Sequence, residues 1–419
     1  MSAVVEAAAS APAETPAVTG RIRSLDVLRG LTILVMIFVN DLGRVSGVPA
    51  WMSHMHPESA DGMTFVDVVF PAFLFIVGTS IPFAIGRRLD QGESLARVWS
   101  HVLVRTIGLL VIGVFMVNSE TISKQGALSP PMWELLMYSG VALTWVSLPG
   151  EWMNRRSTVL GMRVFGIALL IAAALMYRGN DGTGLIQMRP QWWGILGLIG
   201  WAYLVGCAAY TALRRNLAGV VGAIALLYCV YIADSAGGLA WLGWIKGWVG
   251  IGEALGSQAA ITVAGVALGM VLDPGSPLHT NSARIRWAFW FGMGLFVAGH
   301  LLHAAHDIHR MFIFNKIYAT PPWCLVSSAI TVWIWIVIYW LVDMRRVERG
   351  SETLTLAGQN ALLAYIMAPI LYAVIALFLP VYAQLGNSFA IGFWRSVVLA
   401  IAIIWTAAKL RKHGVQLKL

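Results

Sequence analysis

Charge is scarce in this chain. Asp, Glu, Lys and Arg make up 12% of its 419 residues, against 58% hydrophobic. Soluble globular domains carry about 25% charged residues, so the composition argues against a water-facing surface. Cysteine is scarcer still: Cys207, Cys229 and Cys324 are the full set. They lie in or beside apolar runs at no metal spacing, which argues against a disulfide framework and a thiolate metal centre. Packing between helices suits them better. Lys and Arg are missing from residues 1–20, a stretch rich in Ala, Pro, Thr and Val. With no basic start and no apolar core, it reads as a disordered tail and not as a cleaved signal peptide. No internal repeat is evident, which weakens a transporter reading, because many transporters are built from repeats.

What is present is a succession of apolar runs of about 20 residues, the length that crosses a bilayer as a helix, and a mean hydropathy of +0.73. The runs are too long for strands and lack the alternation of a membrane barrel. Twelve are placed near 24–44, 64–86, 98–118, 131–149, 159–177, 193–213, 217–234, 257–272, 286–304, 323–342, 355–379 and 390–408. The expectation is an all-α polytopic membrane protein of about 11–12 transmembrane helices. Residues 1–20 form its tail, 21–410 a single membrane domain and 411–419 a cytoplasmic C-terminal tail.

The net charge of +9 would suit nucleic acid only if it were gathered into a patch. Instead arginines cluster at alternate span ends, among them Arg87, Arg88, Arg155, Arg156, Arg345 and Arg346. That is the positive-inside pattern, and it puts both termini in the cytoplasm. The expected partner is the lipid bilayer, with the multi-pass chain in a bacterial inner membrane and no nucleic acid bound. A homodimer is compatible with the composition.

Titratable residues crowd one short stretch. His54, His56, Glu58 and Asp61 lie between the first two spans, and the second span opens with Thr64 and carries Asp67. Asp67 sits about one turn inside the membrane and needs a partner; His54, His56 and Asn40 are the candidates. At the other end of the first span Ser24 suits an N-cap, and Asp26 and Arg29 stand three apart, close enough to pair. A structural ion pair is the plain reading of those two. The sharper one is that Arg29 meets a phosphate from the cytoplasm. His300, His303, His306 and His309 recur every three residues. Such a series drifts around a helix, so a polar vestibule or an interfacial helix end suits it better than a metal site. No metal is expected.

Several segments carry a resemblance. Ser24 to Gly30, the histidine loop, and Asp61 to Gly78 resemble the transmembrane heparan-α-glucosaminide N-acetyltransferase family. Asn315-Lys316 with Thr320, and Gly358 to Tyr365 around Asn360, resemble two later segments of that family. The likeness is strong over about 21–118 and 312–370 and weak between them. The Asp-x-x-Arg-Gly start is shared by the wider membrane acyltransferase group.

The resemblance implies acetyl transfer from cytoplasmic acetyl-CoA to the amino group of a glucosamine-type sugar or related glycan on the far side. By position the family's histidine falls on His56. This loop is one residue longer than the family's pattern, and Ser59 and Ala60 stand where its tryptophan would be, so His54 competes. Either imidazole could take the amine's proton near neutral pH or carry the acetyl group itself. Asp67 or Asp61 could fix its tautomer. Asn40 or Asn360 could donate to the carbonyl oxygen. Arg29, Asp26, Lys316, Asn315 and Asn360 form the candidate donor-binding set. Plainer readings stand beside these: Lys316 as a snorkelling side chain, and Asn360 as interhelical hydrogen-bond glue. Two alternatives remain, an O-acyltransferase acting on an envelope glycan and, less favoured, a solute transporter.

Overall fold

The computed structural model describes residues 22–149, 156–179, 187–379 and 381–419. The expected tail, residues 1–20, lies outside them. The described chain is mostly helical, with strands confined to two residues each, Val146–Ser147 (β1) and Gln416–Leu417 (β2). Thirteen principal helices follow in order: α1 Arg23–Leu42, α2 Phe65–Asp90, α3 Leu95–Ser119, α4 Pro130–Trp145, α5 Arg156–Met176, α6 Gly194–Leu213, α7 Leu217–Ser235, α8 Ile251–Leu272, α9 Asn281–His303, α10 Pro321–Met344, α11 Ser351–Gln359, α12 Ala361–Phe378 and α13 Phe389–Lys412.

Among the described residues, ten helices are long and apolar enough to cross a membrane: α2, α3, α5 to α10, α12 and α13. The other two expected spans are also helical. One is α1, which carries Arg23, Asp26, Arg29 and Asp41; the other is α4, only 16 residues long. Polar contacts show which helix ends lie together. At one face Asp343 accepts from the backbone N–H groups of Arg23 and Ser24, each at 3.0 Å, and Arg214 pairs with Asp90. At the opposite face Asp41 pairs with Arg395, Ile122 bridges to Gly179 and Asp61 meets His303. Successive spans therefore alternate in direction, and Ile22 and Leu419 share the Arg29 face. The second face is the His54 face.

The centre of the bundle is α8, whose residues Gln258 to Gly269 are all buried. Its backbone approaches α2 so closely that side chains are excluded. A Cβ on Gly78 would lie 1.9 Å from the Thr262 carbonyl oxygen, and one on Gly265 would lie 2.0 Å from that of Phe75. The same device joins α1 to α11, where a Cβ on Gly30 would lie 2.1 Å from the Leu354 oxygen. Without a hydrophobic drive between helices in lipid, such close backbone packing is what association rests on.

Three expectations are corrected. Ser24 does not cap α1. Ile22 holds the cap position without a side-chain bond, and the first N–H groups are satisfied by Asp343 from 319 residues away. The span expected over 355–379 is broken. Asn360, at φ −122° and ψ 35°, separates α11 from α12. Residues 411–419 are not a free tail: α13 continues to Lys412 and β2 then folds back against β1, with Val146 opposite Leu417 and Ser147 opposite Gln416.

Candidate functional site

The second span begins with a cap made entirely from its own sequence. Thr64 holds the N-cap position and its hydroxyl accepts from Val66 N–H at 3.2 Å, while Asp67 accepts from Thr64 N–H at 3.0 Å. A carboxylate in the first helical turn also faces the positive end of the helix dipole. The Thr64 hydroxyl donates to the Ser53 carbonyl at 2.7 Å, and Met55 N–H donates to Asp67 Oδ2 at 3.2 Å. These bonds pull the loop over the helix start. They leave Asp67 Oδ1 aimed at His54 Nδ1, 2.7 Å away. The Asp67 side chain is 2% exposed and that of His54 45%, so a buried carboxylate holds an accessible imidazole.

Lys316 completes the group. Its Nζ lies 3.2 Å from His54 Nδ1 and 3.3 Å from Nε2. Almost equally far from both ring nitrogens, the ammonium stands over the imidazole and not on the in-plane lone pair of Nε2, which is left open. Burial pulls the Lys316 ammonium below its ordinary pKa of 10.5, and the Asp67 charge opposes that fall.

The loop that carries Lys316 is stitched to the histidine loop by its neighbours. Asn315 is buried; its amide donates to the carbonyls of Glu58 (2.8 Å) and Ala60 (3.0 Å) and accepts from Tyr318 N–H. Gly62 N–H donates to the Phe314 carbonyl at 2.9 Å. Thr320 closes the turn by donating to Ile313 at 2.6 Å. A cavity of about 110 Å³ lies among His54, His56, Glu58, Asp67, Asn315 and Lys316.

The remaining candidates divide. His56 is exposed and lines that cavity, but its ring has no hydrogen bond among the described residues. Asp61 belongs to a second pair: it accepts from His303 Nε2 at 2.7 Å and from Phe314 N–H at 2.8 Å. Asn40 is exposed on the last turn of α1 and has no hydrogen-bonded partner among the described residues. Asp41, beside it, is fully buried and bound by Arg395 (2.9 Å) and Ser396 (2.7 Å). Of the histidine series, His300 meets the Phe296 carbonyl, His303 meets Asp61, His306 meets Asp307 and His309 caps the turn Arg310–Phe312. Among the described residues no group of three or more His, Cys, Asp or Glu could hold a metal ion.

Asp26, Arg29 and Asn360 lie at the opposite face, away from Asn315 and Lys316. The candidate donor-binding set is therefore split between the two ends. Arg29 pairs with Asp26 at 3.1 Å and donates to Ser80 Oγ at 2.7 Å. A cavity of about 410 Å³ is lined here by Arg29, Ser80, Arg105, Tyr203, Gln359 and Tyr365 among others. A wider depression of about 760 Å³, which includes Arg87 and Gln91, shares Arg29 and Ser80 with it. Neither has a lining residue in common with the His54 cavity. Asn360 donates to the Val415 carbonyl at 3.1 Å and accepts from Leu417 N–H at 3.2 Å.

The sequence reading missed Arg105, Gln359 and Ser80. Arg105 falls inside an apolar run with no motif around it, and its guanidinium lies over the Tyr203 ring, 5.0 Å from the centroid. Nothing local to His303 reveals its partner 242 residues away.

Residues 21–248 match the family described as a domain of unknown function, DUF5009. The heparan-alpha-glucosaminide N-acetyltransferases of mouse and human are 34% and 33% identical to the chain over 121 residues. That stretch is 29% of this chain and 17% of the length of each relative.

Proposed function

The chain belongs to the DUF5009 family, a multi-pass membrane protein distantly related to an acetyltransferase, and from that premise we propose that it is itself a membrane acetyltransferase. In this reading acetyl-CoA supplies the acetyl group from the Arg29 face, and the amino group of a glucosamine-type sugar receives it at the His54 face. The observation that carries it is the His54–Asp67 contact with Lys316 alongside.

The chemistry follows from the protons. With Nδ1–H donated to Asp67, Nε2 of His54 is unprotonated and able to accept. An acceptor amine placed in line with Nε2 loses its proton to it as the amine nitrogen attacks the thioester carbon. The oxygen of the tetrahedral intermediate is then negative, and the Lys316 ammonium beside the ring is the nearest cation to hold it. As the intermediate collapses the C–S bond breaks and the imidazolium returns its proton to the thiolate. Asp67 stabilises the imidazolium between those steps. Attack by Nε2 itself, giving an acetyl-imidazole that the amine then opens, uses the same groups.

The test is radiolabelled acetyl transfer from acetyl-CoA to glucosamine in proteoliposomes, run beside uptake of the same sugar. Labelled N-acetyl product supports the reading. Sugar uptake with no consumption of acetyl-CoA overturns it in favour of a transporter. One observation speaks for that second reading: Gln359 and Ala361, on either side of the helix break at Asn360, line the Arg29 cavity, and broken helices at cavities are how many transporters form their sites.

A further inference from the structure

Residues 416–419 supply a wall of the Arg29 cavity, and their attachment is slight. β2 pairs with β1 over two residues. Lys418 N–H donates to the Trp145 carbonyl at 3.0 Å. The Asn360 amide grips Val415 and Leu417 from the other side. Two side chains enter the bundle: Leu417 is 8% exposed, and Leu419 fills the space beside Gly108, where a Cβ would stand 2.7 Å from its Cδ2. A ladder of two short strands is marginal by itself, and segments with few contacts are those that open locally.

We infer that Val415–Leu419 is a displaceable strap that must leave the Arg29 cavity before an anionic, nucleotide-bearing acyl donor can occupy it. The cavity's chemistry points to such a ligand. Arg29 and Arg105, which stay in place when the strap leaves, bring two cations to its lining, with Tyr203, Gln359 and Ser80 as neutral polar partners. Phosphates suit that set, since guanidinium groups bind them through paired N–H donors.

The latch is placed to couple strap to cavity. Asn360 breaks the helix at the cavity wall, and both hydrogen-bonding atoms of its amide are spent on the strap. When the strap leaves, that amide and the freed turn are returned to the cavity, where non-helical backbone is tolerated because it lines an open space within the protein. The inference deepens the acetyltransferase reading and rests on it for the identity of the donor.

The experiment locks the strap. Ser147 and Gln416 are opposed in the antiparallel ladder, where Cα atoms stand about 4.5–5.5 Å apart, inside the range a disulfide spans. Ser147→Cys with Gln416→Cys, in a Cys229→Ser background, is compared oxidised and reduced in nanodiscs. Acetyl-CoA affinity is expected to fall at least about tenfold on oxidation, since a closed site binds only through its open fraction, and to recover on reduction. Equal affinity in the two states overturns the strap.

A readout independent of acetyl-CoA accompanies it. Leu362 lines the cavity, and a Leu362→Cys thiol is expected to react several-fold faster with a negatively charged alkylating reagent when Asn360→Ala is added. An unchanged rate also overturns the strap. If the alkylation rate rises but no form binds acetyl-CoA, the strap stands and the acetyl-CoA reading falls.

Discussion

His54 and His56 are two positions apart and chemically unlike. His54 has a buried carboxylate at 2.7 Å and an ammonium 3.2–3.3 Å from its two ring nitrogens; His56 has an exposed ring with no hydrogen bond among the described residues. A positioned base is worth about 10²–10⁴ in rate. Acetyl transfer by His54→Ala is therefore expected to fall by about that factor, while His56→Ala stays within a few-fold of the parent. The reverse order would move the base to His56. Lys316 gives a pH dependence. Because burial favours its neutral form, the folded protein releases that proton at a lower pH than a free lysine would. As pH rises through this lowered value the charge beside His54 disappears, and transfer should decline there. Arginine stays charged throughout the accessible range, so Lys316→Arg is expected to carry its alkaline decline to higher pH. A pH–rate profile of both proteins, with coincident alkaline limbs, would remove Lys316 from the reaction.

Elements differ in how openly the sequence declares them. The start of α2 is legible because its cap is local: Thr64 and Asp67 are three residues apart and satisfy each other. The same logic fails at α1, where Ser24 offers a cap and the chain uses Asp343 instead. It fails again at Asn360, whose amide partners, Val415 and Leu417, lie more than fifty residues away. The Asp41–Arg395 pair is the clearest long-range case. Both residues stand at helix ends and pass for surface charges, yet their side chains are 0% and 7% exposed. Removing one partner of a buried pair costs about 3–5 kcal/mol, while replacing both with apolar groups is often neutral. Asp41→Leu alone is expected to lower the unfolding temperature in detergent markedly, and Asp41→Leu with Arg395→Leu to recover most of the loss. Additive losses would show that the two charges are not coupled.

At the scale of the molecule the question is sidedness. The site residues gather at two faces, His54, Asp67 and Lys316 at one and Arg29, Arg105 and Gln359 at the other. From Arg29 to Asn40 on α1 is eleven residues, or about 17 Å of rise. The cavity at the Arg29 face climbs past Ile33 to Met36 along α1 and to Phe73 on α2. Asp67 lies only six residues, about 9 Å, beyond Phe73 along α2. A thioester anchored at one face therefore has a short remaining distance to the imidazole at the other, and the two substrates need never share an aqueous compartment. With the protein in one orientation in sealed vesicles, acetyl-CoA is expected to support transfer only from the Arg29 face. Acceptor sugar is expected to be used only from the His54 face, with an impermeant thiol reagent on Leu362→Cys reporting the orientation. Product formed with both substrates supplied to the His54 face alone would break the arrangement. It would place donor and acceptor together at the His54 face and leave the Arg29 cavity with no part in the transfer.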